Sequence, residues 1–159
     1  MQEIKKLLED IKQSGEGTLE LKIEGGVYER RFYRPERLII LGGGHVGQAI
    51  SKFASAVGFS VIVVDERPSF ANRSCFPDAE EIYCEEFEKA IDQIQIGEND
   101  YVTVVTRGHR FDLTCLRKVL SGIFPRYLGM MGSKRRVAGI VELLQEEGNS
   151  RETVAQIHM

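Results

Sequence analysis

The stretch Leu38-Ile-Ile-Leu-Gly-Gly-Gly-His-Val-Gly47 joins a short aliphatic run to a glycine-rich turn and the start of a helical pattern. Within it, the glycines follow the spacing G-x-G-x-x-G, which is typical of a dinucleotide-binding turn between a strand and a helix. The first glycine permits the tight turn, the second lets the backbone approach a pyrophosphate, and the third lets the helix pack closely on the strand. Free amide groups at the helix N-terminus also attract anions. We therefore predict a phosphate-binding loop formed by Gly42, Gly43, Gly44, His45, Val46 and Gly47, in which His45 is equally suited to contact a phosphate or to cap the helix.

An acidic residue follows this loop at the expected distance. Asp65 lies at the end of the next aliphatic run, Val61–Val64, and comes 18 residues after Gly47. A carboxylate in this position can accept hydrogen bonds from a ribose diol, which favours NAD. Arg67, two residues later, is suited to a 2'-phosphate and therefore to NADP. The sequence does not separate the two nucleotides.

The rest of the chain alternates short apolar runs with helical patterns. This alternation predicts an α/β fold with a doubly wound, mostly parallel, Rossmann-like sheet over residues 36–159. Most of the runs are too uniformly apolar to have a face in water, so both faces of the sheet are predicted to be covered. The first covering helix is indicated by the apolar pattern Val46, Ala49, Ile50, Phe53 and Val57. Before it, residues 1–35 predict an extension made of one amphipathic helix and a β-hairpin. The strands predicted for the hairpin and then for the sheet are Thr18–Ile23, Val27–Tyr33, Arg37–Leu41, Ser60–Val64, Glu81–Cys84, Tyr101–Thr106 and Arg126–Met131.

Polar loops follow two later strands, at the sheet edge where ligands bind in such folds. The first carries Thr106, Arg107 and His109, with Asp112 as the predicted N-cap of the next helix. His109 is a candidate acid, base or ligand, and a solvated loop histidine is the alternative.

The second loop, Gly132-Ser-Lys-Arg135, opens the long last helix, with Ser133 as its predicted N-cap. Cations in a first turn oppose the helix dipole unless an anion offsets them. We therefore predict a second anion site at Gly132, Ser133, Lys134 and Arg135, with a solvated basic patch as the alternative.

Composition excludes several classes of function. The net charge is -3, so a nucleic-acid partner is not expected. Hydrophobic residues make up 42% of the chain, which is enough to form a full hydrophobic core. No apolar run approaches the length of a membrane span or a signal peptide, and three cysteines without C-x-x-C spacing indicate reduced thiols and no metal site. We expect a cytoplasmic protein. No nucleophile with an obvious base stands out, so whether the chain is an enzyme is left open, with His109 as the one catalytic candidate.

Several segments between Arg37 and His158 resemble the nucleotide-binding-like domain of the XdhC/CoxI family, the xanthine dehydrogenase accessory factors. These segments are Leu41–Gly47, Val64–Pro68, Phe70–Asn72, Phe76–Ala79, Thr106–His109 with Asp112, and Tyr127–Arg136. The resemblance implies an accessory, chaperone-like protein that binds molybdenum cofactor, as molybdopterin or its dinucleotide form. It also implies delivery of that cofactor to apo xanthine dehydrogenase or a related molybdenum hydroxylase. The cysteine of the family's N-terminal domain has no counterpart in residues 1–33.

Two further expectations follow. The second functional hypothesis is an NAD(P)-dependent oxidoreductase or NAD(P)-sensing module, with His109 as proton donor. Only one helix and one hairpin are predicted outside the Rossmann-like unit, which leaves few residues to form a substrate pocket. The family pattern continues past His158-Met159, where this sequence stops, so we expect either a short natural product or a longer chain. Absence of a last strand or helix would expose an apolar edge, which predicts a homodimer or domain exchange.

Overall fold

The computed structural model describes residues 2–159, which form two compact units, the first ending at Pro35 and the second beginning at Glu36. Residue 1, part of the predicted extension, lies outside the described residues. The first unit contains helix α1 (Gln2–Ser14) and the antiparallel strands β1 (Glu16–Ile23) and β2 (Gly26–Tyr33). The predicted helix and hairpin are confirmed, and β1 starts two residues earlier than predicted.

The second unit is a five-stranded parallel sheet with helices between its strands, in the order β5-β4-β3-β6-β7. The predicted Rossmann-like α/β fold is thus confirmed. Its elements are β3 (Arg37–Leu41), α2 (His45–Ala56), β4 (Ser60–Val64), β5 (Glu81–Tyr83), α3 (Phe87–Ile94), β6 (Tyr101–Val104), α4 (His109–Leu120), β7 (Tyr127–Met130), α5 (Lys134–Glu146) and α6 (Arg151–Ala155). Strands β3 and β4 have the predicted bounds. Strands β5, β6 and β7 are each shorter than predicted, and β6 ends two residues before Thr106.

Alternate residues of the central strand enter two separate cores. Ile39 and Leu41 pack in the larger cluster with residues of α3, α4, α5 and α6, whereas Ile40 packs with Ala54 and Phe76 on the opposite face. This is the two-residue period of a strand covered on both faces. The prediction that both faces of the sheet are covered is confirmed.

Helix α2 presents a different face to the sheet from the one predicted. Of the five apolar residues predicted to cover the sheet, Val46, Phe53 and Val57 are 41%, 70% and 75% exposed. Ala49 is also exposed, whereas Ile50 packs against the smaller core cluster. The buried residues of α2 are Gly47, Ser51 and Ala54. A Cβ atom at position 47 would lie 2.1 Å from the carbonyl oxygen of Gly42, so this glycine brings the helix against the loop and thereby sets which face is buried.

The C-terminal residues lie beside β7. The prediction that α5 is the last helix is wrong, because the short helix α6 follows it. The amide of His158 donates to the carbonyl of Leu128 at 2.9 Å, and the amide of Met130 donates to the carbonyl of His158 at 2.8 Å. His158 therefore pairs with β7 in a parallel bridge. Among residues 2–159, none of the helices has the length and apolar character needed to span a bilayer.

Candidate functional site

The strand order brings the predicted loops to one edge of the sheet. Strand β3 lies between β4 and β6, and the chain reverses its winding direction between β3 and β6, which is where open parallel sheets bind ligands. The amide of Val105 donates to the carbonyl of Leu41 at 2.9 Å, and the amide of Met131 donates to that of Val104 at 3.1 Å. The ends of β3, β6 and β7 are thus neighbours at the edge where the crevice lies.

The three fingerprint glycines differ in what surrounds them. Gly42 has φ of +125°, and a Cβ there would lie 2.5 Å from the carbonyl oxygen of Val105. At Gly47, the carbonyl oxygen of Gly42 leaves no room for a Cβ atom. Around Gly44, by contrast, a Cβ would meet no protein atom within 4 Å. Gly42 and Gly47 are therefore required by packing, whereas the space beside Gly44 is open to a ligand.

The N-terminus of α2 is suited to an anion. Helix α2 begins at His45, and its N-cap residue Gly44 makes no side-chain cap hydrogen bond. There is also no acidic side chain in the first turn. The first amide groups of a helix have no intrahelical acceptors and carry a partial positive charge. The predicted phosphate loop therefore lies at a helix N-terminus without an acidic side chain, and binding of a phosphate there stays a prediction. His45 and Val46 are exposed at this turn.

Asp65 is buried beside the glycine loop, and its carboxylate accepts four hydrogen bonds. The amide of Gly43 (2.8 Å) and Nη2 of Arg67 (2.9 Å) donate to Oδ2, and the amide (3.0 Å) and Nε (2.8 Å) of Arg67 donate to Oδ1. Burial by itself raises the pKa of Asp65, but these hydrogen bonds and the Arg67 charge outweigh it, so the pKa lies below its ordinary value. The carboxylate predicted to hold a ribose is already bonded to the protein.

Two arginines near Asp65 are each stacked on an aromatic ring. The Arg67 guanidinium lies 3.8 Å from the ring centre of Phe70, and that of Arg107 lies 4.7 Å from the ring centre of Phe111. Arg107 also pairs with Glu66 at 2.6 Å, which joins the segment after β4 to the segment after β6. The pair of Glu66 with Arg107 was not predicted because 41 residues separate the two. The stacked pairs were missed although each is local, with Phe70 three residues after Arg67 and Phe111 four residues after Arg107.

Asp112 is not the N-cap of α4, as predicted. The N-cap is Gly108, and Asp112 lies in the first turn with its side chain fully buried. Its carboxylate lies 2.5 Å from the Thr106 hydroxyl and forms an ion pair with Arg136, whose Nη2 also donates to the Thr106 carbonyl at 3.3 Å. Thr106 therefore holds a buried carboxylate in place, and the pairing of Asp112 with Arg136 was missed because 24 residues separate them.

The predicted second anion loop begins α5 with the predicted N-cap. Ser133 is the N-cap of α5, since its hydroxyl accepts a hydrogen bond from the amide of Arg136 at 3.3 Å. The Arg136 side chain is neutralised by Asp112, so Lys134 and Arg135 are the first-turn cations exposed to solvent, next to exposed Gly132. Binding of an anion there stays a prediction.

The remaining site candidate from the sequence is His109. His109 is exposed at the first position of α4. Cys115, by contrast, is fully buried, and this burial raises the pKa of its thiol well above the ordinary value. Over residues 2–159, no group of three or more histidine, cysteine, aspartate or glutamate side chains is arranged to hold a metal ion.

Comparison with known proteins matches residues 38–159 to the family model of the XdhC Rossmann domain. The chain is 29% identical to the uncharacterised protein YqeB of Escherichia coli (strain K12) over 123 residues, which is 77% of this chain and 22% of that protein. It is 30% identical to a probable xanthine dehydrogenase subunit of Bacillus subtilis (strain 168) over 110 residues, 69% of this chain and 33% of that protein.

A solved structure is similar in both fold and sequence. The crystal structure of a xanthine dehydrogenase from Bacillus halodurans superimposes with a TM-score of 0.70 and 30% identity, over 85% of this chain and 38% of that one. The chain thus spans between about a fifth and two fifths of the length of the proteins it matches.

Proposed function

Because the chain belongs to the XdhC family through its Rossmann unit, we propose that this unit binds molybdenum cofactor, as molybdopterin or its dinucleotide form. In this proposal the chain is an accessory protein that assists the maturation of a xanthine dehydrogenase or a related molybdenum hydroxylase. The observation that carries the proposal is the open space at Gly44, beside an uncapped helix N-terminus at the point where the sheet reverses its winding.

The loop recognises a chemical group that these ligands share. Molybdopterin carries a phosphate, and its dinucleotide form carries a pyrophosphate and a ribose, as NAD does. A phosphate beside Gly44 would accept hydrogen bonds from the first amides of α2. Exposed Lys134 and Arg135 would supply a second anion contact. The proposal requires no reaction at the protein, because the cofactor is cargo that is held and then released.

The partner follows from the same family. Two of the matched proteins are named as xanthine dehydrogenase or part of it, which supports an apo xanthine dehydrogenase as the recipient. The homodimer predicted from the sequence is part of this proposal. Light scattering that shows the mass of a single chain at all concentrations would contradict the homodimer.

The experiment is a calorimetric titration of the purified protein with isolated molybdenum cofactor, with Gly44→Asp as the test variant. The new Cβ meets no protein atom, and aspartate is a preferred N-cap residue, so the variant is expected to fold. Its carboxylate occupies the phosphate position with a negative charge. We expect a loss of affinity of at least about 100-fold, equivalent to about 2.8 kcal/mol.

The matched control is Gly139→Asp, which adds the same charge and bulk in α5 where a Cβ also meets no atom within 4 Å. It is expected to bind cofactor as the unaltered chain does. Equal binding by the Gly44→Asp variant would overturn the proposal. Substrate-dependent turnover of NAD(P)H that is lost in His109→Ala would instead establish the oxidoreductase hypothesis.

A further inference from the structure

The end of the crevice after β4 lacks the free carboxylate that a ribose diol needs. A diol is held when its hydroxyl groups donate to an aspartate. Each oxygen of Asp65 already accepts two hydrogen bonds, from Gly43 and Arg67, and the side chain is 4% exposed. A diol would therefore have to displace a charge-assisted pair that the protein makes with itself.

The group that faces solvent at this position is the guanidinium of Arg67. Its Nε and Nη2 bond to Asp65, its flat face lies on Phe70, and the side chain is 25% exposed. A guanidinium carries five N–H groups, so those on Nη1 are left to bind a ligand. Because one contact lies along its edge and the other on its face, the guanidinium plane is fixed. These donors are therefore preorganised for a phosphate, which they suit better than a hydroxyl pair.

Asp65 also connects Arg67 to the glycine loop. Its Oδ2 atom accepts from the amide of Gly43 at 2.8 Å and from Nη2 of Arg67 at 2.9 Å, so loop and guanidinium meet at one oxygen atom. The neighbouring carboxylate, Glu66, is paired with Arg107. The two carboxylates in this segment are therefore each neutralised by an arginine, and neither repels an incoming phosphate as a free carboxylate would.

We propose that Arg67 makes this crevice selective for ligands that carry a phosphate monoester at this end, over the same ligands with a free hydroxyl pair. Asp65 is then a positioning residue that holds Arg67 and does not contact the sugar. The inference rests on the proposed function, since it takes the glycine loop to hold the ligand's phosphate or pyrophosphate.

NADP and NAD are the probes that test this, because they differ only in one 2'-phosphate. Titrated into the unaltered chain, NADP is expected to bind at least about tenfold more tightly, which corresponds to one charge-assisted hydrogen bond. In Arg67→Gln the ratio of the two affinities falls to about one, while the affinity for NAD changes less than about threefold. The matched control is Arg117→Gln, an arginine that pairs with Glu147 on the exposed surface, and it leaves the ratio unchanged.

The positioning role has its own readout. Asp65→Asn is expected to lower the NADP to NAD ratio as well, and the double variant with Arg67→Gln to lower it no further than Arg67→Gln alone. A purely structural role would weaken both nucleotides equally and leave the ratio intact, and that result would overturn the positioning role.

Equal affinity for the two nucleotides in the unaltered chain, tighter binding of NAD, or binding of neither would overturn the selectivity. The proposed function is tested separately, by titration of molybdenum cofactor into the Gly44→Asp variant. An NADP to NAD affinity ratio that contradicts the selectivity can therefore be told apart from a cofactor titration that contradicts the proposed function.

Discussion

Asp65 and Asp112 are both buried aspartates that pair with an arginine near the crevice, but their partners lie at different distances along the chain. Arg67 follows Asp65 by two residues, whereas Arg136 follows Asp112 by 24. The first pair is formed within one loop, with one further bond from the glycine loop. The second pair joins the first turn of α4 to the first turn of α5.

This difference separates a group that shapes a binding surface from one that supports the fold. If Asp65 is changed, Arg67 is released into solvent, and the sheet below keeps its contacts. If Asp112 is changed, the protein loses a fully buried carboxylate that binds both Arg136 of α5 and the hydroxyl group of Thr106. The two arginines are equally exposed, at 25%, so the larger cost at Asp112 is expected because its contacts join separate segments of the fold and its own side chain is inaccessible to water.

The largest expected effect is therefore at Asp112. Asp112→Ala leaves the Arg136 charge uncompensated, and we expect the free energy of unfolding to fall by about 3–5 kcal/mol. Urea denaturation followed by circular dichroism measures this change. If the variant does not fold, Asp112→Asn keeps the shape and is expected to be destabilised as well, by a smaller amount.

Asp92→Ala is the control for Asp112→Ala, since Asp92 pairs with Lys118 while its side chain is 66% exposed. Its effect should stay within about 1 kcal/mol. A loss at Asp112 no larger than the loss at Asp92 would remove the distinction between the two buried aspartates.

A smaller effect is expected at Asp65, with a characteristic pH dependence. Asp65→Asn removes charge-assisted hydrogen bonds, and we expect a loss of about 1–3 kcal/mol in the free energy of unfolding at neutral pH. Because the folded pKa of Asp65 lies below its ordinary value of 3.8, the charged form stabilises the folded state. This stabilisation is complete above that value and is lost as pH falls through the folded pKa. The difference in the free energy of unfolding between the unaltered protein and Asp65→Asn should thus stay constant from neutral pH to about pH 4 and narrow only as pH falls further towards the folded pKa. A difference that stays constant below about pH 4 would show that the charge of Asp65 is not its cause.

The sequence predicts those parts of this comparison that depend on neighbouring residues. The aliphatic runs before Gly42 and Asp65 fix β3 and β4 to the residue, because strand and turn signals are local there. The position of Asp65 at the end of β4 follows from the same signals. The serine N-cap of α5 is also local, since Ser133 needs only an amide three residues later.

The other parts depend on tertiary contacts. Asp112 has the composition of an N-cap, but its actual role depends on an arginine in another helix. The buried face of α2 is set by the contact between Gly47 and Gly42, which overrides the apolar stripe of Val46, Phe53 and Val57. The Asp65 carboxylate also accepts from the amide of Gly43, which lies 22 residues earlier in the chain. Spacing in the sequence identified which residues lie at the crevice, but not which of them bind each other.

The smallest expected effect tests whether pairing alone, without burial, has consequences for stability. Glu66 and Arg107 form an ion pair across the same crevice, but their side chains are 31% and 49% exposed. Water and salt screen such a pair, so Glu66→Gln should change the free energy of unfolding by less than about 1 kcal/mol. The measurement is urea denaturation in low and in high salt, and the small difference at low salt should shrink further at high salt. A loss of stability in Glu66→Gln that equals the loss at Asp65 and persists in salt would contradict this expectation. It would mean that the Glu66–Arg107 pair supports the fold as the Asp112 pair does. Burial would then not distinguish pairs that stabilise the fold from pairs that do not.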